Sequence, residues 1–119
     1  MAEKKPFRVE KPWGHELIWA HTERYVGKVL HIKAGHALSL QYHLRKDETV
    51  YVLNGRMKFQ TGAEGQPLNE STLGPGEAFH IMPLLRHRMI AETDCDILEA
   101  STPELDDVVR LDDRYGRVK

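Results

Sequence analysis

The stretch "GHALSLQYHLRKDETVYVLNG", residues 35–55, sets an amide, an imidazole and a carboxylate close together: Gln41, His43 and Glu48. On a strand, residues two apart point to the same face, so Gln41 and His43 project together. Residues 44–47 are polar or turn-like and allow the chain to reverse. Glu48 then opens a β-rich run, and if it faces inward, so do Val50 and Val52. A fourth donor is available from "GPGEAFHIMPLLRHRM", where His87 begins another strand after a proline-containing turn. Two imidazoles, a carboxylate and an amide oxygen suit a divalent first-row metal (Zn, Mn, Fe, Co or Ni) and leave coordination positions open. Structural zinc favours a closed shell, often of thiolates, and this set has none. An open site points to chemistry or ligand binding. Spacing alone leaves one alternative, an exposed turn cluster of Gln41, His43 and Glu48 that holds no metal.

The elements that must position these donors read as strands. Short β-rich runs recur between turn signals: "ELIWA" (16–20), "YVGKVLHIK" (25–33), "ALSL" (37–40), "TVYVL" (49–53), "RMKFQ" (56–60), "AFHIM" (78–82), "HRMIAE" (87–92), "CDILEA" (95–100) and "DVVRL" (107–111). Many short strands at this spacing predict an antiparallel sandwich or barrel. Asn54-Gly55 between two such runs predicts a type I′ hairpin. "TGAEGQPLNESTLGPGE" (61–77) predicts a loop with at most one short edge strand. No repeat or internal boundary interrupts the chain, so residues 1–119 read as a single domain, with an N-terminal arm over 1–12 and a tail over 103–119 that carries the last strand and a short helix or coil.

The motif around Gln41, His43 and Glu48 resembles the first motif of the cupin superfamily, G-x5-H-x-H-x(3,4)-E-x6-G. Gly35, Gln41, His43, Glu48 and Gly55 occupy its positions, with Gln41 where the first His is usual. The second motif, G-x5-P-x-G-x2-H, is matched by Gly76 and His87 at the expected span; Pro83 sits one place closer to His87, and Leu84-Leu85 fill the turn where Gly is common. The resemblance implies an all-β, double-stranded β-helix (jelly-roll) barrel, in agreement with the strand reading. "KPWGHE", "LSLQYH" and "DDVVRLDDRYGR" are more narrowly similar to the mannose-6-phosphate isomerase cupins, in particular the C-terminal isomerase domain of bifunctional isomerase/GDP-mannose pyrophosphorylases. That family also uses Gln at the first ligand position. The large nucleotidyltransferase domain of those enzymes has no counterpart in these 119 residues. Leu44, Arg45 and Lys46 stand where the family tends to be His-rich, a difference that bears on the substrate.

That resemblance implies aldose–ketose interconversion of a sugar phosphate. A metal held by Gln41, His43, Glu48 and His87 would act as Lewis acid at C1 and C2. A base must shuttle a proton through a cis-enediol. His80 and Lys33 are the candidate bases, with Tyr51 as a further contact, although His80 also reads as a histidine supporting the core. Arg86, with Arg45 and Lys46 behind it, is the candidate for the phosphate. Two other classes remain open. His43, Glu48 and His87 alone form the two-His-one-carboxylate triad of non-haem Fe(II) oxygenases, for which Leu84 and Leu85 would make an apolar mouth. A non-catalytic metal- or sugar-binding cupin is the other.

The remaining residues narrow the field. Net charge is −1, with both signs spread along the chain, which offers no footprint for nucleic acid or an anionic membrane. Cys95 is the one cysteine, so no disulfide framework exists, and it reads as a small buried hydrophobe. "MAEKKPFRVEKPWG" has no apolar run, so it is neither a secretory signal nor an anchor, and the expected compartment is the cytoplasm. His15, His21, His31 and His36 fit no ligand spacing, and Trp13 and Trp19 read as core or interface residues. Small jelly rolls leave edges and apolar patches for a partner to cover, which predicts a homodimer with the N-terminal arm as an exchangeable strand.

Overall fold

The computed structural model describes residues 5–118, which form eleven strands and no helix. In chain order these are β1 (Phe7–Lys11), β2 (Gly14–His21), β3 (Val26–Ile32), β4 (Leu40–Tyr42), β5 (Glu48–Asn54), β6 (Met57–Gly62), β7 (Asn69–Leu73), β8 (Ala78–Ile81), β9 (Arg86–Ala91), β10 (Cys95–Ser101) and β11 (Val109–Asp112). Every pairing is antiparallel. A six-stranded sheet runs β1-β2-β3-β10-β5-β8 and a five-stranded sheet runs β11-β4-β9-β6-β7. This is the antiparallel two-sheet arrangement that the strand spacing predicts, in the jelly-roll form that the resemblance implies.

Alternation decides what each strand puts inside. In β5, Glu48, Val50 and Val52 are buried while Thr49, Tyr51 and Leu53 face out. Cys95, Ile97, Glu99 and Ser101 are the inward residues of β10, and Val26, Lys28, Leu30 and Ile32 those of β3. Along each of these strands the inward side chains change from apolar to charged. Val52, Ile97, Leu30, Phe59, Met57 and Met89 pack one part of the interior, with the Phe59 and Phe79 rings edge to face at 4.8 Å. Glu48, Glu99, Lys28 and His87 come next along their strands, and together they make the other part polar.

The structure corrects three expectations. Asn54-Gly55 is not a type I′ hairpin. β5 and β6 belong to different sheets, and Leu84 is the one non-glycine described residue with positive φ, so Asn54 does not adopt the required conformation. Gly55 is instead a corner between sheets, at φ 90°, where an added Cβ would lie 2.3 Å from the Asp94 carbonyl. "ALSL" contributes only Leu40 to a strand, and Ala37 makes an isolated bridge to Ile90. The N-terminal arm is a regular edge strand over Phe7–Lys11, paired with β2 of its own chain; residues 1–4 lie outside the described region. The tail carries the last strand, β11, with turns and coil around it, one of the two forms expected. The loop over 61–77 does hold one exposed edge strand, β7.

Candidate metal centre

Gln41 on β4 stands opposite His87 on β9, and the turn after β4 brings His43 beside Glu48 at the head of β5. One nitrogen from each of His43 and His87 and one oxygen of Glu48 all lie within 4.8 Å of one another. All three residues are buried. His43 Nε2 is 3.0 Å from Glu48 Oε2, and the two imidazoles are 5.1 Å apart. Each imidazole is held through its other nitrogen. His43 Nδ1 donates to the Asp107 carbonyl at 2.5 Å, and His87 Nδ1 donates to the Leu85 carbonyl at 2.9 Å. Those bonds hold each ring through Nδ1 and turn its Nε2 toward the cavity, as metal-binding histidines require. The Gln41 amide nitrogen donates to Ser39 Oγ at 3.0 Å, which leaves its carbonyl oxygen as the acceptor available to the cavity it lines.

His87 and Glu48 are in the protonation states a cation needs. Burial holds the His87 imidazole down at about 4, so it is neutral at pH 7. Burial alone would raise the Glu48 carboxyl, but His43, Lys46 and His87 outweigh it and hold it at about 2. Glu48 Oε2 is buried with ammonium and imidazole at contact distance, yet no contact is aligned as a hydrogen bond. A buried carboxylate oxygen with lone pairs unclaimed fits a cation. Residues and geometry therefore fit a divalent metal.

A line of buried charge leads away from this centre. Lys46 Nζ sits 3.1 Å from Glu48 Oε2 and 3.0 Å from Glu99 Oε2. Lys28 Nζ is 3.7 Å from Glu99 and 3.3 Å from Glu16. Burial alone would lower the Lys46 ammonium, but the Glu99 and Glu48 carboxylates more than reverse this and hold it above its ordinary value. These residues line a cavity of about 300 Å³, walled also by Phe7, Trp13 and the tail residues Leu105 and Val108. Arg110 lines the same cavity. Its Nε is buried without a hydrogen-bond partner, and no carboxylate lies at ion-pair distance among the described residues.

The structure brings Gln41, His43, Glu48 and His87 together and places the other candidates differently. Lys46 is not a surface contact for phosphate; it is buried between Glu48 and Glu99. His80 is on the outward side of β8, bonded through Nε2 to Asp47 at 2.7 Å, and does not line the cavity. Lys33 is exposed just past β3. Tyr51 faces out from β5, because its neighbours Val50 and Val52 face in. Arg45 is exposed. The Arg86 guanidinium is occupied by the carbonyls of Ala63 and Gln66. Leu84 lines a separate outer groove with Tyr42, Leu44 and Leu111, so it forms no apolar mouth to the cavity. Lys28 and Glu99, absent from the sequence-derived site, share strand parity with buried apolar neighbours, the signal that could have found them. Arg110 had no such signal.

Residues 28–100 match the cupin domain family. The chain belongs to the cupin family. It is 35% identical over 115 residues to the mannose-1-phosphate guanylyltransferase ManC of Salmonella typhimurium and 34% identical over 115 residues to the mannose-1-phosphate guanylyltransferase of Escherichia coli. Each alignment covers 92% of this chain but 23% of the relative, so the cupin spans about a quarter of those proteins. Among solved structures it resembles KdgF from a Halomonas species at 25% identity and TM-score 0.69, covering 84% of this chain and 88% of that one. The S161A mutant of Bacillus subtilis oxalate decarboxylase OxdC shares the fold at TM-score 0.76 and 15% identity, covering 88% of this cupin and 30% of that chain.

Proposed function

We propose that this cupin is a metal-dependent aldose–ketose isomerase acting on a sugar phosphate of the mannose-6-phosphate type. The observation that carries the reading is the juxtaposition, in one cavity, of a centre fit for a divalent metal with an unpaired arginine, Arg110. The similarity to mannose-1-phosphate guanylyltransferases supports a mannose phosphate as ligand. Gln41, His43, Glu48 and His87 would hold the metal. When bound, it supplies Lewis acidity to a carbonyl and its neighbouring hydroxyl. Arg110 binds the anionic end of the substrate, a role for which Arg86 and Arg45 are badly placed. His80 and Lys33 lie outside the cavity, so the proton between C1 and C2 passes to groups that line it. Among these are Lys46, 3.1 Å from Glu48, and Glu99, 3.0 Å from Lys46. The charged lining favours a polar substrate over the apolar one that the oxygenase reading requires.

The test is metal content by mass spectrometry together with NMR observation of mannose-6-phosphate and fructose-6-phosphate in D₂O. Stoichiometric metal with interconversion and deuterium entry at C2 is expected, and Glu48→Gln should abolish both metal retention and turnover. Metal-loaded protein that leaves both sugars unchanged overturns the isomerase reading. Binding without turnover would then identify a sugar-phosphate receptor, and iron with O₂ consumption an oxygenase.

A further inference from the structure

The five-stranded sheet carries a second hollow, on its outer face. β11, β4 and β9 lie side by side, and successive residues of a strand point to opposite faces. Arg110, Gln41 and His87 face the inner cavity, while their chain neighbours Leu111, Tyr42 and Arg86 line an outer groove of about 330 Å³. Leu44 and Leu84 line it too, where the Leu84 N–H meets the His43 carbonyl at 2.7 Å and joins two turns. Glu64 is the remaining side chain on the wall. Folding alone does not account for this lining. Leu44, Leu84 and Leu111 are 58%, 57% and 43% exposed and leave an apolar wall open to water. Leu84 does so at φ 72°, a conformation that disfavours leucine, and strain of that kind persists where a site has a use for it. Arg86 Nη2 donates to the carbonyl of Ala63 at 2.9 Å and to that of Gln66. Its Nε is buried without a hydrogen-bond partner, and no carboxylate lies at ion-pair distance among the described residues. The two carbonyls hold the guanidinium in place without neutralising it, so a fixed cation borders the apolar wall.

We propose that this groove is a second binding site, and that it takes a small monocarboxylate with an apolar body. Charge selects the head group. A planar guanidinium without a counter-ion matches a carboxylate in both charge and shape. The three leucines and the Tyr42 ring cover a hydrocarbon body. Glu64 limits the total charge, because a second negative group on the ligand meets a carboxylate on the wall. A phosphate dianion is therefore disfavoured, and a neutral alcohol leaves Arg86 without its counter-ion. Size selects a free small molecule: the groove lies at the lower end of the roughly 300–1,000 Å³ of small-molecule sites. None of Gln41, His43, Glu48 and His87 lines the groove, so it is separate from the metal centre.

The test is an amide-resolved NMR titration of the full chain with phenylbutanoate, with phenylbutanol and inorganic phosphate as comparisons. Phenylbutanoate is expected to shift the amides of Tyr42, Leu44, Leu84 and Leu111 with a Kd of about 1 mM or tighter. Phenylbutanol should bind at least about tenfold more weakly, and phosphate should leave these amides unmoved. Arg86→Gln should weaken phenylbutanoate by about 10- to 100-fold. Leu111→Asp, at an exposed position that leaves the Arg86 carbonyl bonds intact, should abolish the shifts while the rest of the spectrum stays that of the wild type. The same titration on protein stripped of metal should give the same groove shifts. The proposal is overturned by an unresponsive groove, by equal binding of the alcohol or of phosphate, by binding that survives both variants, or by shifts that centre on Gln41, His43 and His87 and vanish with the metal. No outcome involves turnover, so the groove and the isomerase reading fail independently.

Discussion

His43 is tethered to the tail: its Nδ1 donates to the carbonyl of Asp107 at 2.5 Å. The Asp107 carboxylate accepts the backbone N–H groups of Leu44, at 3.0 Å, Arg45, at 2.7 Å, and Lys46, at 2.9 Å. One residue, distant in sequence, therefore fixes both a candidate ligand and the turn that carries Lys46 into the cavity. Burial alone would raise the Asp107 carboxyl, but those three donors bring it below its ordinary value.

Asp107→Ala leaves the three N–H groups without their acceptor and loosens the carbonyl that orients His43. Metal affinity should fall by about 10- to 100-fold, as expected for loss of a group that orients a ligand. Calorimetric titration with Zn²⁺ or Mn²⁺ checks this. Unchanged affinity would show that the tail does not position His43.

Acid should destabilise the metal-free protein in a defined window. The His87 imidazole, held at about 4 when folded, returns to about 6.5 when the chain unfolds. The unfolded chain thus takes up a proton first as pH falls. The stabilisation is complete above pH 6.5 and is lost as pH drops toward 4, by on the order of 3 kcal/mol. Glu48, at about 2 against 4.5, adds a second loss below pH 4.5. Urea denaturation at several pH values, with a chelator present, measures the slope, and His87→Gln should flatten the upper part of the window.

Lys46→Met removes the ammonium between two buried carboxylates. Breaking a buried ion pair from one side costs about 3 kcal/mol, because the partner charge stays buried. Equilibrium denaturation should show that loss, and adding Glu99→Gln should recover part of it. A loss below about 0.5 kcal/mol, the range of ordinary surface substitutions, would mean that water already solvates this chain of charges.

Leu84 occupies the glycine-favoured turn at φ 72°, and its N–H still reaches the His43 carbonyl at 2.7 Å. The left-handed conformation costs a leucine roughly 1–2 kcal/mol, against about 0.5–1 kcal/mol for the freedom glycine loses on folding. Leu84→Gly should therefore stabilise the fold by roughly 0.5 kcal/mol and leave metal affinity unchanged. A lower urea midpoint would show that Leu84 contributes packing in the outer groove.

The sequence by itself determined the strand identities and the inward parity. Period-two alternation is local, so Glu48, Val50 and Val52 could be assigned to one face, and Gln41 and His43 to another, without any tertiary knowledge. The same rule applied to "YVGKVLHIK" and "CDILEA" puts Lys28 and Glu99 inside, a reading that their charge obscured. Only the tertiary structure decided which strands face each other. Asn54-Gly55 has hairpin chemistry, yet the corner at Gly55 sends β6 to the other sheet, while β5 pairs with β10 and β8. Lys46 looked like a surface cation, and only the Asp107 carboxylate, 61 positions away, turns it inward. Arg110 reaches the cavity for the same reason, through the pairing of β11 with β4. A side chain's surroundings are set by contacts between distant segments, which leave no local pattern in the residues that make them.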